Sequence, residues 1–243
     1  GKSKLCELLS ELDKIDNLSW IRLMYLHPKH ISEKLLKLIA KSEKICKYLD
    51  IPLQHINDRI LQQMNRRISK KEIIQKLNLI RKIIPDVALR TSLIVGFPGE
   101  TEEEFQELLE FVRTQRFSKL GCFVYSQEEG TEAAKLKQQI IERIKHRRLD
   151  AIMKCQQNIS KKILEKFVGQ KLKVIVDKKI EDSIFECRTE FDAPEIDGIV
   201  YLKDANLNVG DTVCIIIQDS LEYDLIGSIS PLTKKKDRRI NDK

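Results

Sequence analysis

No two cysteines stand close together in this sequence. Cys6, Cys46, Cys122, Cys155, Cys187 and Cys214 are scattered along the chain, and no CxxC pair occurs. Zinc and iron–sulfur sites ordinarily draw at least two ligands from one short loop. The spacing therefore excludes a compact metal knot, and the thiols read as the reduced cysteines of a cytoplasmic protein. The sequence also lacks an apolar run long enough to span a bilayer, and it shows no secretory pattern at its start. It opens on Gly1 and enters an amphipathic stretch at once, which is expected of a piece of a longer protein.

What is present is charge, unevenly spread. The 243 residues carry a formal +7, with 42% hydrophobic and 33% charged residues, the balance of a soluble globular protein. Residues 168–230 hold six Lys/Arg against thirteen Asp/Glu, about −7 on a formal count. The region before them is basic, as is the tail at 231–243, which reads as disordered. An acidic module is thus expected inside a basic chain.

From residue 1 to about 135, predicted strands alternate with amphipathic helices. Helices are expected over 4–15, from Ser32, over 58–64, from Ser69 to Pro85, and after Thr101. Ser69 with Glu72, and Thr101 with Glu104, have capping-box spacing. Strands are expected at 20–26, 48–53, 88–95 and 120–125. The pattern is α/β, a parallel layer or an incomplete barrel, since a closed barrel needs more than four strands. Residues 138–167 read as one long helix. Five short strands follow, at 172–176, 184–189, 198–202, 212–218 and 225–230, suggesting a small all-β barrel. The expected domains are 1–135, a connector at 136–167, a β module at 168–230 and a tail at 231–243.

Parallel barrels place function at the carboxyl ends of their strands. Here those ends read His27-Pro28, then PLQH at 52–55, LRTSLIVGFPGE at 89–100 and YSQEEGT at 125–131. Gly96 and Gly99 permit backbone torsions that a side chain forbids and let a ligand come close. Tyr25 and Arg22 either reach this rim or pack outside it.

In order and spacing these motifs resemble the radical S-adenosylmethionine methylthiotransferases, and the acidic β module resembles the TRAM domain that ends them. LRTSLIVGFPGE, YSQEEGT, DAPEIDG at 192–198 and YDLIG at 223–227 resemble most the branch that methylthiolates the β-carbon of an aspartate in a small-subunit ribosomal protein. The resemblance implies a truncated radical-SAM barrel followed by a five-stranded OB-like TRAM domain. It also implies S-adenosylmethionine as cofactor and two 4Fe-4S clusters in the full-length enzyme. By the same resemblance Gln54 and His55 lie near the ribose, Leu93, Ile94 and Gly96 near the adenine, and Tyr125 and Ser126 border it; the alternatives are that Leu93 and Ile94 are plain core and that His55 caps the next helix. Arg90 pairs with the methionine carboxylate or bridges to a barrel glutamate, and Glu100 braces the turn. No catalytic residue is assigned.

The family's CxxxCxxC loop is absent from these residues, and no metal ligand is predicted among them. The expectation is an enzyme portion that is inactive alone and lacks the amino-terminal half of the enzyme as its partner. An acidic module repels RNA and attracts a basic protein, so a basic ribosomal protein is the expected partner, with RNA and membrane disfavoured. A transfer-RNA methylthiotransferase and a non-catalytic adaptor for a basic protein are the alternatives.

Overall fold

A computed structural model describes residues 4–181, 183–203 and 207–229. The chain falls into two compact units, residues 1–159 and 160–243.

The first unit is a four-stranded parallel sheet in the order β1-β2-β3-β4: β1 Ile21–Leu23, β2 Ile45–Asp50, β3 Ala88–Val95 and β4 Lys119–Val124. Neighbours in space are neighbours in sequence, and right-handed crossovers then put every connecting helix on the same face. After α1 (Leu5–Asp13), these helices are α2 (Glu33–Lys41), α3 (Asp58–Gln63), α4 (Lys70–Ile83) and α5 (Glu102–Gln115). They bury Leu35, Leu36 and Ile39, then Ile73, Leu77 and Ile80, then Phe105, Leu108 and Val112. Both predicted capping boxes form, Ser69 with Glu72 and Thr101 with Glu104, each worth on the order of 1 kcal/mol.

Strand ends shift where a side chain overrides the local pattern. β1 is shorter than expected because Tyr25 turns to φ +55, its N–H bonding the Asp50 carboxylate at 3.1 Å rather than a ladder partner. β2 starts three residues early. A lysine at position 47 argues against a buried strand, yet its ammonium reaches the Ile39 carbonyl at 2.5 Å, so the charge is satisfied.

The long helix, α6, spans Glu142–Leu164 and begins later than residue 138. The Gln138 carbonyl accepts the Gly99 N–H at 2.8 Å, which holds that segment outside the helix.

In the second unit, β5 (Lys171–Glu181), β6 (Ile184–Thr189), β7 (Val200–Lys203), β8 (Thr212–Ser220) and β9 (Leu225–Ile229) close into a barrel in the order β5-β6-β7-β9-β8. Val174, Val176, Phe185, Cys187, Val200, Leu202, Ile215 and Ile217 fill it. At Gly227 a Cβ would meet Ile215 Cδ1 at 2.5 Å, so any larger residue there displaces the Ile215 side chain. The tail at 231–243 lies outside the described residues. Among the described residues no helix is long and apolar enough to cross a membrane.

Candidate nucleoside-binding rim

The carboxyl ends of the four strands are bonded edge to edge. Leu26 N–H donates to Asp50 O at 2.8 Å, Gln54 N–H to Ser92 O at 2.9 Å, Ile94 N–H to Gln54 O at 2.8 Å and Tyr125 N–H to Val95 O at 2.9 Å. Gln54 makes its two bonds from φ +73, a left-handed position that a non-glycine residue holds only when its surroundings fix it. Segments 25–26, 50–55, 92–100 and 124–126 therefore form one continuous rim.

Alternation along β3 decides which side chains face outward. Leu89, Thr91, Leu93 and Val95 are buried, whereas Arg90, Ser92 and Ile94 are half-buried. The latter pair in register with Lys119, Gly121 and Phe123 of β4, so these six share the face away from the helices. Phe123 is 57% exposed. A Cβ on Gly121 would lie 3.3 Å from the Phe123 ring and 3.8 Å from Arg90 Nη2. The Phe123 ring thus packs over Gly121 with the Arg90 guanidinium close by, which puts an aromatic ring and a cation on the same face of the sheet. Arg90 Nη1 is already held by Asp50 Oδ1 at 2.9 Å, an aspartate in place of the barrel glutamate that the sequence suggested, so a ligand carboxylate must share this guanidinium with Asp50.

Behind the rim lies a buried charged node. The Glu100 carboxylate accepts the Gly96 N–H on Oε2, pairs with Arg148 Nη1 at 3.1 Å and lies 3.4 Å from His55 Nε2. All three side chains are essentially inaccessible. Arg148 also donates to the Glu100 carbonyl at 3.1 Å and reaches Glu102 at 3.4 Å. The Gln106 amide, and then Arg148 and Arg147, hold the Glu102 carboxyl below its ordinary range. Nearby, Lys145 Nζ donates to the Tyr125 carbonyl at 2.9 Å and to Glu142 at 2.7 Å.

The expected ligand residues are placed as follows. Leu93 is fully buried on the helix-facing side, because strand periodicity puts it opposite Ile94. His55 is buried as well; its Nδ1 accepts the Asn57 N–H at 3.0 Å, next to the α3 cap, and its other nitrogen faces Glu100. Glu100 braces the turn. Gly96 and Gly99, at φ +73 and +76, do not leave room for a ligand: the Lys145 stem occupies the space above Gly96, and Gln138 Oε1 would lie 2.7 Å from a Gly99 Cβ. The Tyr125 ring is buried edge-on against Phe97 at 5.3 Å, its hydroxyl without a partner among the described residues, while exposed Ser126 bonds Glu128 at 2.7 Å. Gln54, Arg90, Ile94, Ser126 and the main chain of Tyr125 remain as rim positions. Sequence reasoning misses Asp50, Lys145 and Arg148. A carboxylate ending a buried strand signals Asp50, but nothing singles out two cations in the lysine-rich α6.

In the second unit DAPEIDG and YDLIG prove to be one structure. A Cβ on Gly198 would collide with the Tyr223 carbonyl, and Asp224 Oδ1 accepts the Ile199 N–H at 2.9 Å. Part of the acidity is structural: Asp192, Asp197, Asp211 and Asp224 all accept main-chain N–H groups in turns. Glu195, at φ +69, and Glu222 stay exposed on these adjoining loops, with Ile196 and Tyr223 beside them.

The residues present do not fit an iron–sulfur cluster. Among the described residues no three His, Cys, Asp or Glu side chains group as metal ligands. Burial, with Glu100 adding to it at Cys122, pushes the Cys122 thiol up to about 12, and burial alone does the same at Cys187. Neither thiol readily becomes the thiolate that a metal requires. No chemical step through a cluster is assigned to these residues.

Residues 2–112 match the radical SAM superfamily and residues 168–229 the TRAM domain. The chain is 48% identical over 230 residues to the ribosomal protein uS12 methylthiotransferase RimO of Clostridioides difficile, covering 94% of this chain and 52% of that protein. It is 47% identical to RimO of Bdellovibrio bacteriovorus, covering 94% and 50%. The chain thus spans about half the length of the curated relatives it matches. Among solved structures, the radical SAM enzyme coproporphyrinogen III oxidase (HemN) from Escherichia coli superposes with a TM-score of 0.52 at 23% identity, over 64% of this chain and 36% of that one, a likeness of fold.

Proposed function

We infer that a chain which carries, as this one does, the radical SAM and TRAM domains of RimO-like methylthiotransferases holds S-adenosylmethionine on its half-barrel rim and recruits a basic ribosomal protein through its β module. The substrate in this reading is an aspartate of uS12, methylthiolated at its β-carbon in the cytoplasm. The observation that carries the reading is the edge-to-edge bonding of segments 50–55, 92–100 and 124–126, with Arg90, Ile94 and Phe123 on one face beside them. When bound, S-adenosylmethionine supplies the sulfonium centre that the family's chemistry cleaves. Ile94 and Phe123 offer its adenine an apolar face, Gln54 a polar edge, Ser126 and the Tyr125 main chain a border, and Arg90 a partner for its carboxylate. The two 4Fe-4S clusters of the active enzyme are assigned to residues other than these 243. Anaerobic reconstitution of these residues alone with iron and sulfide is therefore expected to yield no stoichiometric cluster and no turnover, by metal analysis and product assay.

The partner follows from charge. With thirteen acids against six bases in residues 168–230, the module favours a cationic polypeptide over a polyanion. Fluorescence anisotropy with purified uS12 and, separately, transfer RNA tests this. Saturable binding of uS12 that weakens with salt is expected, with reversal of Glu195 and Glu222 to lysine reducing affinity about tenfold, ~1.4 kcal/mol. Binding of transfer RNA in place of uS12 would overturn the reading in favour of an RNA substrate.

A further inference from the structure

We propose that α6 latches the nucleoside site, with Lys145 and Arg148 as its positioning residues; this rests on the reading of the rim given above. Three buried side chains of α6 donate to main-chain carbonyls. Lys145 Nζ bonds Tyr125 O at 2.9 Å, Arg148 Nη1 bonds Glu100 O at 3.1 Å, and Gln156 Nε2 bonds Phe117 O at 2.9 Å. The first two fall on the rim, one on the end of β4 and one on the turn after β3.

These cations are 4% exposed, a rare and costly placement for Lys and Arg. Packing alone would be served by an aliphatic residue, as at fully buried Ile152 on the same helix. Each cation also grips what it touches in a second way. The Lys145 stem fills the space over Gly96 while its ammonium lies 5.4 Å from the centre of the Tyr125 ring. Arg148 pairs with the Glu100 carboxylate that holds the Gly96 N–H, and stacks over Phe105 at 5.3 Å.

The two glycines of the GFPG turn are thereby explained by α6 and the segment before it. Gly96 admits Lys145; Gly99 admits the Gln138 side chain and donates its N–H to the Gln138 carbonyl at 2.8 Å. The end of β4 supplies main chain to the ligand edge of the rim, the turn after β3 follows Ile94 and Val95 directly, and both are held from behind by one helix. Without the ammonium, the Tyr125 carbonyl loses its buried partner and the strand end loosens.

Lys145→Met keeps the stem over Gly96 and removes the charge; Lys145→Arg restores the charge. Both are made in the 243-residue chain and read three ways: urea unfolding, hydrogen exchange of the amides at 96–100 and 125–127, and affinity for S-adenosylhomocysteine by equilibrium dialysis. The methionine variant is expected to exchange these amides at least tenfold faster, leave the β3 interior protected, and bind the nucleoside at least fivefold more weakly, with arginine recovering most of both. Should Lys145→Met not fold, Glu142→Gln, which removes the exposed second partner of the same ammonium, is expected to give a two- to threefold version of both effects. Wild-type exchange and affinity in the methionine variant would overturn the proposal, as would loosened amides with unchanged affinity, which would leave Lys145 merely structural. Absence of nucleoside binding by the wild-type chain would overturn the rim reading and the positioning role together, while the exchange measurement still judges the latch.

Discussion

Replacing Glu100 by glutamine should destabilise the first unit by roughly 3–5 kcal/mol, read as a fall in the urea midpoint with little change in slope. The carboxylate is 3% exposed and ties together three elements: the turn through Gly96, the segment after β2 through His55, and α6 through Arg148. The amide keeps the shape and can still accept the Gly96 N–H. It cannot neutralise Arg148, whose remaining acidic contact on this side is the half-exposed Glu102 at 3.4 Å. The loss is that of a buried cation left without its counter-charge, which exceeds the net worth of the pair. Glu128→Gln is the control. That carboxylate is exposed and bonded to Ser126, and its loss should stay within about 0.5 kcal/mol. A cost below about 1 kcal/mol for Glu100→Gln would show that the node carries little of the stability.

Gly96→Ala should be nearly as damaging, for a different reason. At φ +73 the left-handed backbone costs an alanine roughly 1–2 kcal/mol. The added Cβ also runs into the Lys145 stem, and overpacking of this kind typically costs a further 1–3 kcal/mol. The two parts separate experimentally. Gly169 has φ +83, and among the described residues no atom lies within 4 Å of where an alanine methyl would sit, so Gly169→Ala reports the backbone part alone. In the double variant Gly96→Ala with Lys145→Ala the collision is gone, and the combined loss should fall short of the sum of the single losses by about 1 kcal/mol or more. Strict additivity would show that Lys145 moves aside at no cost.

Much of the local structure is legible in the sequence. Residues 88–95 form the strand the sequence indicates, end to end, because a short run rich in Leu, Ile and Val between Pro85 and a Gly-Phe-Pro-Gly turn has little alternative. The capping boxes at Ser69 and Thr101 form as expected, since their partners lie three residues away. The sides of β3 are legible in principle: Arg90 and Ser92 mark one face, which includes Ile94 and excludes Leu93. The long-range roles are not. Asp50 acts on Tyr25 and Arg90, respectively 25 and 40 residues away in sequence, and Arg148 acts on Glu100 across 48.

The alternation of strands with helices, the parallel α/β class, the acidity of the β module and the family likeness are properties of neighbouring residues and composition, so the linear chain specifies them. The assignment of Gly96 and Gly99 to a contact with α6 and the segment before it, the withdrawal of His55 and Leu93 from the rim, and the burial of two cations behind it depend on which surfaces meet after folding. Packing density and the need to pair every buried charge settle those, and neither is written in any one stretch of sequence.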